Sequence, residues 1–222
     1  MRSGSIAFAG AAGLAAALLT TLPANAALLT LLVTDNGVLV GSASSSTGHL
    51  VFSSSADPEF STIDITVSGV PLLPAPDLGT VSTDVSTSSG FTGTHIITIL
   101  AKQSGLGPIA INPGKVSFTA NGLIGAPGPT TESFALNGTT VASHTFPASF
   151  GSDSASAATP GGLLSSETEG VAATFTAALQ DQEATIEYAA TGTVVPEPST
   201  WAMMMLGGFA FLGFAGGIDS LM

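Results

Sequence analysis

The segment TIDITVS at residues 62–68 is the clearest structural signal in this sequence. Ile63, Ile65 and Val67 alternate with polar residues, which places apolar side chains on one face of a β-strand and polar side chains on the other. A half-buried strand of this kind is typical of an antiparallel sheet with one solvated face. The segment therefore predicts an all-β protein.

Two tight-turn signals elsewhere in the sequence also indicate β-structure. Leu28–Thr34 and Val38–Ala43 flank an Asn-Gly pair, and so do Phe134–Leu136 and Thr139–Phe146. Asn-Gly is the strongest short hairpin signal, because both residues tolerate a positive φ. These two places predict β-hairpins.

Other segments predict core strands. The run 95–101 is β-branched with little alternation, which predicts a central strand covered on both sides. A third hairpin is predicted from residues 171–179 and 184–193 around the turn 180–183. The expected inward side chains of these strands are Val116, Phe118, Phe175, Ala177, Leu179, Ile186 and Tyr188.

Polar tracts and prolines predict the loops between strands. The tracts are Ser-rich and lie at 42–48, 53–55, 86–93 and 151–156, and Pro108 and other prolines exclude central strands at their positions. The number and spacing of segments predict one antiparallel β-sandwich of roughly 8–10 strands in the exported domain, residues 27–195.

Composition excludes several kinds of function. The chain has 15 Asp and Glu residues but only 3 Lys and Arg residues, and no Lys or Arg lies between Arg2 and Lys102. Nucleic acid is excluded as a partner because its binding draws mainly on Lys and Arg. The absence of cysteine excludes disulfides, thiolate metal sites and cysteine nucleophiles. No cofactor is predicted.

The N-terminus has the pattern of a secretory signal peptide. Arg2 precedes an uncharged run at 6–22, and Ala24 and Ala26 supply the small residues of a cleavage site. We therefore predict a signal peptide at residues 1–26, cleaved after Ala26. An uncleaved N-terminal membrane anchor is the alternative.

The C-terminus predicts a membrane segment. Residues 195–201 read VPEPSTW, and an uncharged, apolar stretch from Trp201 to Ile218 follows. This stretch is close to the minimum length for a transmembrane helix, and Trp201 stands where an interfacial ring would lie. The two prolines predict a stiff, extended approach to the helix.

This C-terminal order resembles the PEP-CTERM sorting signal over residues 196–222, with Pro196, Glu197 and Pro198 as the sorting motif. The resemblance implies an exosortase partner in a Gram-negative bacterium, a membrane-anchored precursor, and display at the cell surface or in an extracellular or biofilm matrix. Family members usually end in an Arg-rich tail, whereas this chain has Asp219 and no base there. An ordinary tail-anchored surface protein is the alternative.

Titratable residues suggest little chemistry. His49, His95 and His144 have no metal-ligand spacing, and each fits a structural role in a turn or strand. No serine lies in a Gly-x-Ser-x-Gly elbow, although a triad assembled from distant residues stays open.

Carboxylate pairs for glycoside hydrolysis are the other catalytic possibility. Glu167 and Glu169 are predicted in a Ser/Thr/Gly loop, and Asp181 and Glu183 in a hairpin turn, where solvated charges are expected. Weak calcium sites are conceivable at Asp57/Glu59 or Asp181/Glu183. The remaining carboxylate candidates are Glu132 and Glu187. No catalytic or metal residue is assigned.

Two functional hypotheses follow. The favoured one is a non-enzymatic structural or interaction protein whose acidic, Ser/Thr-rich surface associates with exopolysaccharide or other surface proteins. The alternative is a secreted hydrolase or carbohydrate-binding module with the same sorting signal. A cleft that brings titratable groups together would distinguish them.

Overall fold

The computed structural model of the chain describes residues 27–54, 57–69, 77–124, 128–148 and 151–194. Every helix or strand element in these residues is a β-strand, and the strands form two antiparallel sheets, which confirms the all-β, sandwich-like fold. The predicted number of roughly 8–10 strands is too low, because the described residues form thirteen, several of them in segments predicted as loops. The strands are β1 Leu28–Asp35, β2 Val38–Ser45, β3 His49–Ser54, β4 Phe60–Gly69, β5 Asp77–Thr87, β6 His95–Ile111, β7 Gly114–Ile124, β8 Thr130–Leu136, β9 Thr139–Phe146, β10 Gly151–Thr159, β11 Gly162–Phe175, β12 Asp181–Ala189 and β13 Gly192–Val194.

The two sheets are named here by size. Sheet A has seven strands in the order β2-β1-β6-β11-β8-β9, and β13 also pairs with β6. Sheet B has six strands in the order β10-β7-β12-β5-β4-β3. The core lies between them, and its largest buried side chains are Tyr188, Phe118, Phe134, Phe146, Phe175, Ile63, Ile65, Ile97, Ile99, Leu164 and Ile186.

Local patterns correctly indicated several strands. Ile63, Ile65 and Val67 of β4 are buried, as the alternation predicted. The two Asn-Gly hairpins are also confirmed, since β1 pairs with β2 and β8 with β9. Asn36 and Asn137 adopt φ of 46° and 51°, the left-handed conformation that these turns require.

The third predicted hairpin is wrong. β11 pairs with β6 and β8 in sheet A, whereas β12 pairs with β5 and β7 in sheet B. The connection crosses between the sheets, and there Oε1 of the buried Gln180 accepts backbone hydrogen bonds from Thr176 and Ala177. Ala177 and Leu179 consequently face solvent instead of the core, and Leu179 is 63% exposed.

The strand β6 is central but open on one face. β1 and β11 flank it in the sheet, while Ile96 and Leu100 on its outer face are 42% and 40% exposed, so the expectation of cover on both sides is wrong. β6 also runs through Pro108, where a central strand was excluded. Its register with β11 shifts near this point, and Gly105 has a φ of 71°, so residues 105–108 stand outside the ladder with β11.

Serine-rich segments also form strands. Residues 151–156 belong to β10 and residues 42–45 to β2, although loops were predicted for both. Both strands lie at sheet edges, where one face and one edge meet water and polar side chains are not penalised. Within the described parts of the chain no helix is long and apolar enough to cross a membrane.

Candidate functional site

A groove crosses the outer face of sheet A where β2, β1, β6 and β11 lie side by side, with a volume of about 580 Å³. Strand alternation explains the outward side chains of this lining, because every second residue of β1 and β6 points outward, while Leu31 and Ala43 lie between such residues and face the core. The groove is lined by Thr30, Leu31, Leu32, Ser42, Ala43, Ser44, Leu100, Lys102 and Thr168. This mixture of hydroxyls, aliphatic groups and one cation makes the groove the main candidate for ligand binding.

The register of the strands sets the order of these groups. Leu32 lies opposite Leu100, and the two side chains, 41% and 40% exposed, form the apolar part of the groove. Lys102 lies opposite Thr30 on one side and Thr168 on the other. Direct cross-strand neighbours are about 5 Å apart, so hydroxyls flank the lysine on both sides.

The outer face of sheet A carries no carboxylate among the described residues. Asp35, Glu132, Glu167 and Glu169 are the acidic residues of its strands, and all four lie on the inner side. The one ion pair within the described ranges joins His95 to Asp35, away from the groove. Lys102, which is exposed, therefore has no ionic partner in the described structure.

Aromatic rings do not contribute to this face in the described parts of the chain. Phe52 is half-buried and packs against Gly41, where an added Cβ atom would lie 2.5 Å from the ring. A ligand in the groove must therefore be held by hydroxyl hydrogen bonds, aliphatic contact and charge. The other described aromatic side chains are buried, namely Phe60, Phe91, Phe118, Phe134, Phe146, Phe175 and Tyr188.

Three glutamates lie inside the sandwich, contrary to the solvated loop predicted for two of them. Glu167 and Glu169 are in β11, and Glu132 is in β8. Burial raises the pKa of Glu132 and of Glu167 to about 8. Burial, with the nearby Glu167 carboxyl adding to it, also raises the pKa of Glu169 well above its usual range. These groups are therefore largely protonated at neutral pH.

The missed signal was strand parity. Glu167 and Glu169 have the same parity as Val171, Ala173 and Phe175, so a strand through all five residues places the acids on the core face. The Ser-rich residues at the start of this strand were interpreted as a loop, so its beginning was not recognised.

The Glu167–Glu169 pair is sealed by the opposite sheet. A Cβ atom added to Gly79 of β5 would lie 2.6 Å from Oε1 of Glu167 and 3.1 Å from Oε1 of Glu169, so the glycine makes room for both carboxyls. The two glutamates are only 3% and 4% exposed. A glycosidase pair must contact the scissile bond from both sides, which these carboxyls cannot do in this arrangement.

His95 belongs to a hydrogen-bonded network at the end of β1. Its Nδ1 atom lies 2.6 Å from Oδ2 of Asp35, and its Nε2 atom lies 3.1 Å from the carbonyl oxygen of Thr92. Both partners accept hydrogen bonds when Asp35 is ionised, so the geometry suits an imidazolium that donates twice. Burial lowers the pKa of His95, but the hydrogen bond and charge of Asp35 outweigh it, and the net pKa is raised.

The other two histidines lie elsewhere. Nδ1 of His49 on β3 is 3.2 Å from the Ser68 hydroxyl, and the His144 ring on β9 packs edge-on against Phe146. The structure therefore does not bring the three histidines together into a metal or catalytic site.

The proposed calcium positions do not converge either. Oδ1 of Asp57 accepts a hydrogen bond from the backbone of Glu59, and the Glu59 carboxylate accepts two from Thr92. Asp181 and Glu183 lie in β12, not in a hairpin turn. In the described part of the chain, no three His, Cys, Asp or Glu residues are grouped so that they could hold a metal ion.

A second groove, of about 420 Å³, lies beside the His95 network. Carboxylates and exposed aliphatic residues of the first hairpin border it. Its lining is Asp35, Asn36, Val38, Leu39, Val40, Asp57 and Pro58. Of its two acids, Asp35 is paired with His95, and no cation lines the groove beside Asp57.

The terminal sites lie outside the described residues. These are the signal cleavage residues Ala24 and Ala26, the sorting motif Pro196, Glu197 and Pro198, and the apolar segment 201–218.

Comparison with known proteins gives no family. No family model matches the chain, and no curated protein matches it. Solved structures do match, among them the enzymatically active domain of tailspike protein 4 from bacteriophage CBA120, with a TM-score of 0.35 and 10% identity. That match covers 65% of this chain but only 20% of the tailspike chain.

Two other matches are carbohydrate-binding modules. TmCBM61, solved with β-1,4-galactotriose, matches with a TM-score of 0.35 and 8% identity over 65% of this chain and 88% of its own. A module of the CBM4 type matches with a TM-score of 0.27 and 12% identity over 66% and 94%. Likeness at this level assigns no function.

Proposed function

We propose that this protein is an exported, non-catalytic carbohydrate-binding β-sandwich that is sorted through a PEP-CTERM-type segment. The groove on the outer face of sheet A carries this proposal. It combines neutral hydroxyl groups with an aliphatic strip formed by Leu32 and Leu100. Such a lining is complementary to a sugar chain, which alternates hydroxyl groups with apolar C–H surfaces, and binding sites typically combine apolar contact with a few convergent polar groups.

The non-catalytic part of the proposal is supported by the position of the acids. Glu167 and Glu169 are sealed in the core, and neither of the two grooves described above is lined by them. The groove on sheet A has no carboxylate or histidine that could act as a general acid or base.

Export and sorting form the second part of the proposal. The strand β1, which begins the domain, and β13, which ends it, both pair with β6. β11 holds the opposite edge of β6 at residues 109–111, so β13 continues along the edge that β1 occupies. This arrangement supports a domain that is tethered beside its binding face once the N-terminal segment has been removed.

Binding can be tested with the full chain by affinity electrophoresis in gels that contain soluble polysaccharides. Replacing Leu32 and Leu100 by alanine should weaken retardation about fivefold, because roughly 1 kcal/mol of apolar contact is lost. The matched control replaces Leu163 and Leu179, which are 62% and 63% exposed but lie outside the groove. Equal retardation of both double variants would contradict binding at this groove.

Sorting can be tested separately in a host that contains an exosortase. Alanine at Pro196, Glu197 and Pro198 should leave a full-length precursor in the membrane, because the extended, proline-held backbone is what a membrane protease can engage. Alanine at Ser199 and Thr200 is the control and should leave processing intact. Normal processing of the triple variant would favour a simple tail anchor instead.

A further inference from the structure

Lys102 occupies an unusual electrostatic position. The chain has 3 Lys and Arg residues and a net charge of −12, yet this exposed ammonium has no ionic partner within the described ranges. Its cross-strand neighbours, Thr30 and Thr168, are neutral hydroxyl residues, and a third hydroxyl of the groove belongs to Ser44. An unpaired cation surrounded by neutral hydrogen-bonding groups is suited to a ligand that brings its own negative charge.

The charge of the whole protein does not prevent an anion from approaching this face. The outward acids Asp64, Glu183 and Glu187 lie on sheet B, on the opposite side of the sandwich. The sheets themselves are about 10 Å apart, and outward side chains add to this distance, so these charges are farther from Lys102 than the Debye length of about 8 Å at physiological salt.

The acids closest to the face are inside the core. Glu132, Glu167 and Glu169 lie on the inner side of sheet A, and burial raises the pKa of each. Protonated carboxyls repel no anion. Lys102 is therefore the one charged residue among those that line the groove.

Other ligands fit less well. The described part of the chain offers no aromatic ring at the groove on which a neutral sugar could stack. A second copy of the chain docked face to face would bring two Lys102 side chains together, with no carboxylate on either face to pair with them. A carboxylated glycan satisfies both the cation and the hydroxyls.

We propose that the groove binds a uronate-bearing segment of an acidic polysaccharide, with the uronate carboxylate paired to Nζ of Lys102. The hydroxyls of Thr30, Thr168 and Ser44 then face the ring hydroxyls, and Leu32 and Leu100 contact the C–H surface. This inference rests on the proposed carbohydrate-binding function and specifies its ligand class.

The test uses the full chain, alginate as the carboxylated polymer and dextran as the neutral one. Lys102→Gln should weaken retardation by alginate on the order of tenfold, the size of a charge-assisted hydrogen bond. Lys102→Arg keeps the charge and should retain most of the binding. Lys115→Gln makes the same change at the exposed lysine of β7 in sheet B and should have no effect. Added salt should weaken the binding of the parent and reduce its difference from Lys102→Gln.

The possible outcomes distinguish a failure of the uronate site from a failure of carbohydrate binding as such. If Lys102→Gln and Lys115→Gln bind alginate equally, the inference is overturned. If dextran nevertheless retards the parent and this retardation depends on Leu32 and Leu100, the groove binds a neutral glycan and the carbohydrate-binding proposal holds. If neither polymer retards the parent while light scattering shows concentration-dependent oligomers, both proposals fail and the face is a contact between copies.

Discussion

The two sheets place their acidic side chains on opposite sides. In sheet A, the acidic residues lie on the inner side, namely Asp35, Glu132, Glu167 and Glu169. Among the described residues, Lys102 is the one charged residue on the outer face of this sheet. In sheet B, acids on β4, β5 and β12 point outward, and they lie next to one another across the strands, as Asp64, Asp84 and Glu183 do.

This contrast shows that net charge alone says little about a binding face. The three buried glutamates of sheet A, Glu132, Glu167 and Glu169, lose most of their charge because burial raises their pKa, whereas carboxyls of sheet B point to solvent. The same composition therefore yields one acidic face and one face that an anion can approach.

The buried glutamates of sheet A should make the protein more stable in mild acid. The folded-state pKa of Glu132 and Glu167 is about 8, against the usual 4.5, and that of Glu169 is also raised, so the folded protein holds protons that the unfolded chain releases as the pH rises through this range. The free energy of unfolding should therefore fall as the pH rises through this window and level off above it. Because each unit of pKa shift is worth about 1.4 kcal/mol, the fall should reach several kcal/mol, measurable by urea unfolding from about pH 5 to about pH 9.

Matched variants test whether the buried glutamates on the inner side of sheet A cause this pH dependence of the unfolding free energy. Glutamine at Glu132, Glu167 and Glu169 should flatten the profile, whereas Asp64→Asn with Glu187→Gln, on the outer face of sheet B, should leave it unchanged. A parent profile that stays level or rises between these pH values would contradict the difference between the sheets.

The His95–Asp35 pair should add a smaller effect of the same sign. The pKa of His95 is raised above 6.5, so its stabilisation is complete below that value and is lost as the pH rises through the folded-state pKa. Asp35→Asn removes the charge-assisted hydrogen bond and should cost about 1–2 kcal/mol near pH 6, with a smaller cost near pH 9. An equal cost at both pH values would mean that His95 is neutral in the folded protein.

Substitution of an outward acid of sheet B should change the free energy of unfolding least. Burial, together with the neighbouring Asp181 carboxyl, raises the pKa of Asp84 to about 6. Asp84→Asn relieves this repulsion and should stabilise the protein by about 0.5 kcal/mol near pH 8, since solvent screens the interaction. Chemical unfolding of the parent and the variant measures the difference. A destabilisation above about 1 kcal/mol would show that Asp84 makes a needed contact.

Local signals in the sequence were sufficient for strands and tight turns but not for sheet assignment. The alternation in β4 and the Asn-Gly turns at 36–37 and 137–138 depend on neighbouring residues alone, and they were predicted correctly. Which sheet a strand joins depends on distant pairing. The false hairpin between β11 and β12 shows this, because the backbone of the buried Gln180 at the crossing receives a hydrogen bond from Thr87, far away in the chain.

The candidate groove could not be predicted from the sequence either. Its lining comes from four strands, of which β6 begins 50 residues after the end of β2 and β11 begins 51 residues after the end of β6. No spacing in the sequence therefore indicates that Lys102 lies beside Thr30 and Thr168. The buried state of Glu167 and Glu169 was predictable in part from strand parity with Phe175. Their depth was not, because it depends on the space left by Gly79 of the opposite sheet.

The most direct test of the central claim is a chemical-shift map of the isotope-labelled full chain titrated with an alginate oligosaccharide. Binding on the outer face of sheet A should shift the amide signals around Leu32, Leu100, Lys102 and Thr168, and leave those around Asp64, Asp84 and Thr119 on sheet B in place. Shifts centred on sheet B, on the groove beside His95, or nowhere in the domain would contradict the assignment of the binding face.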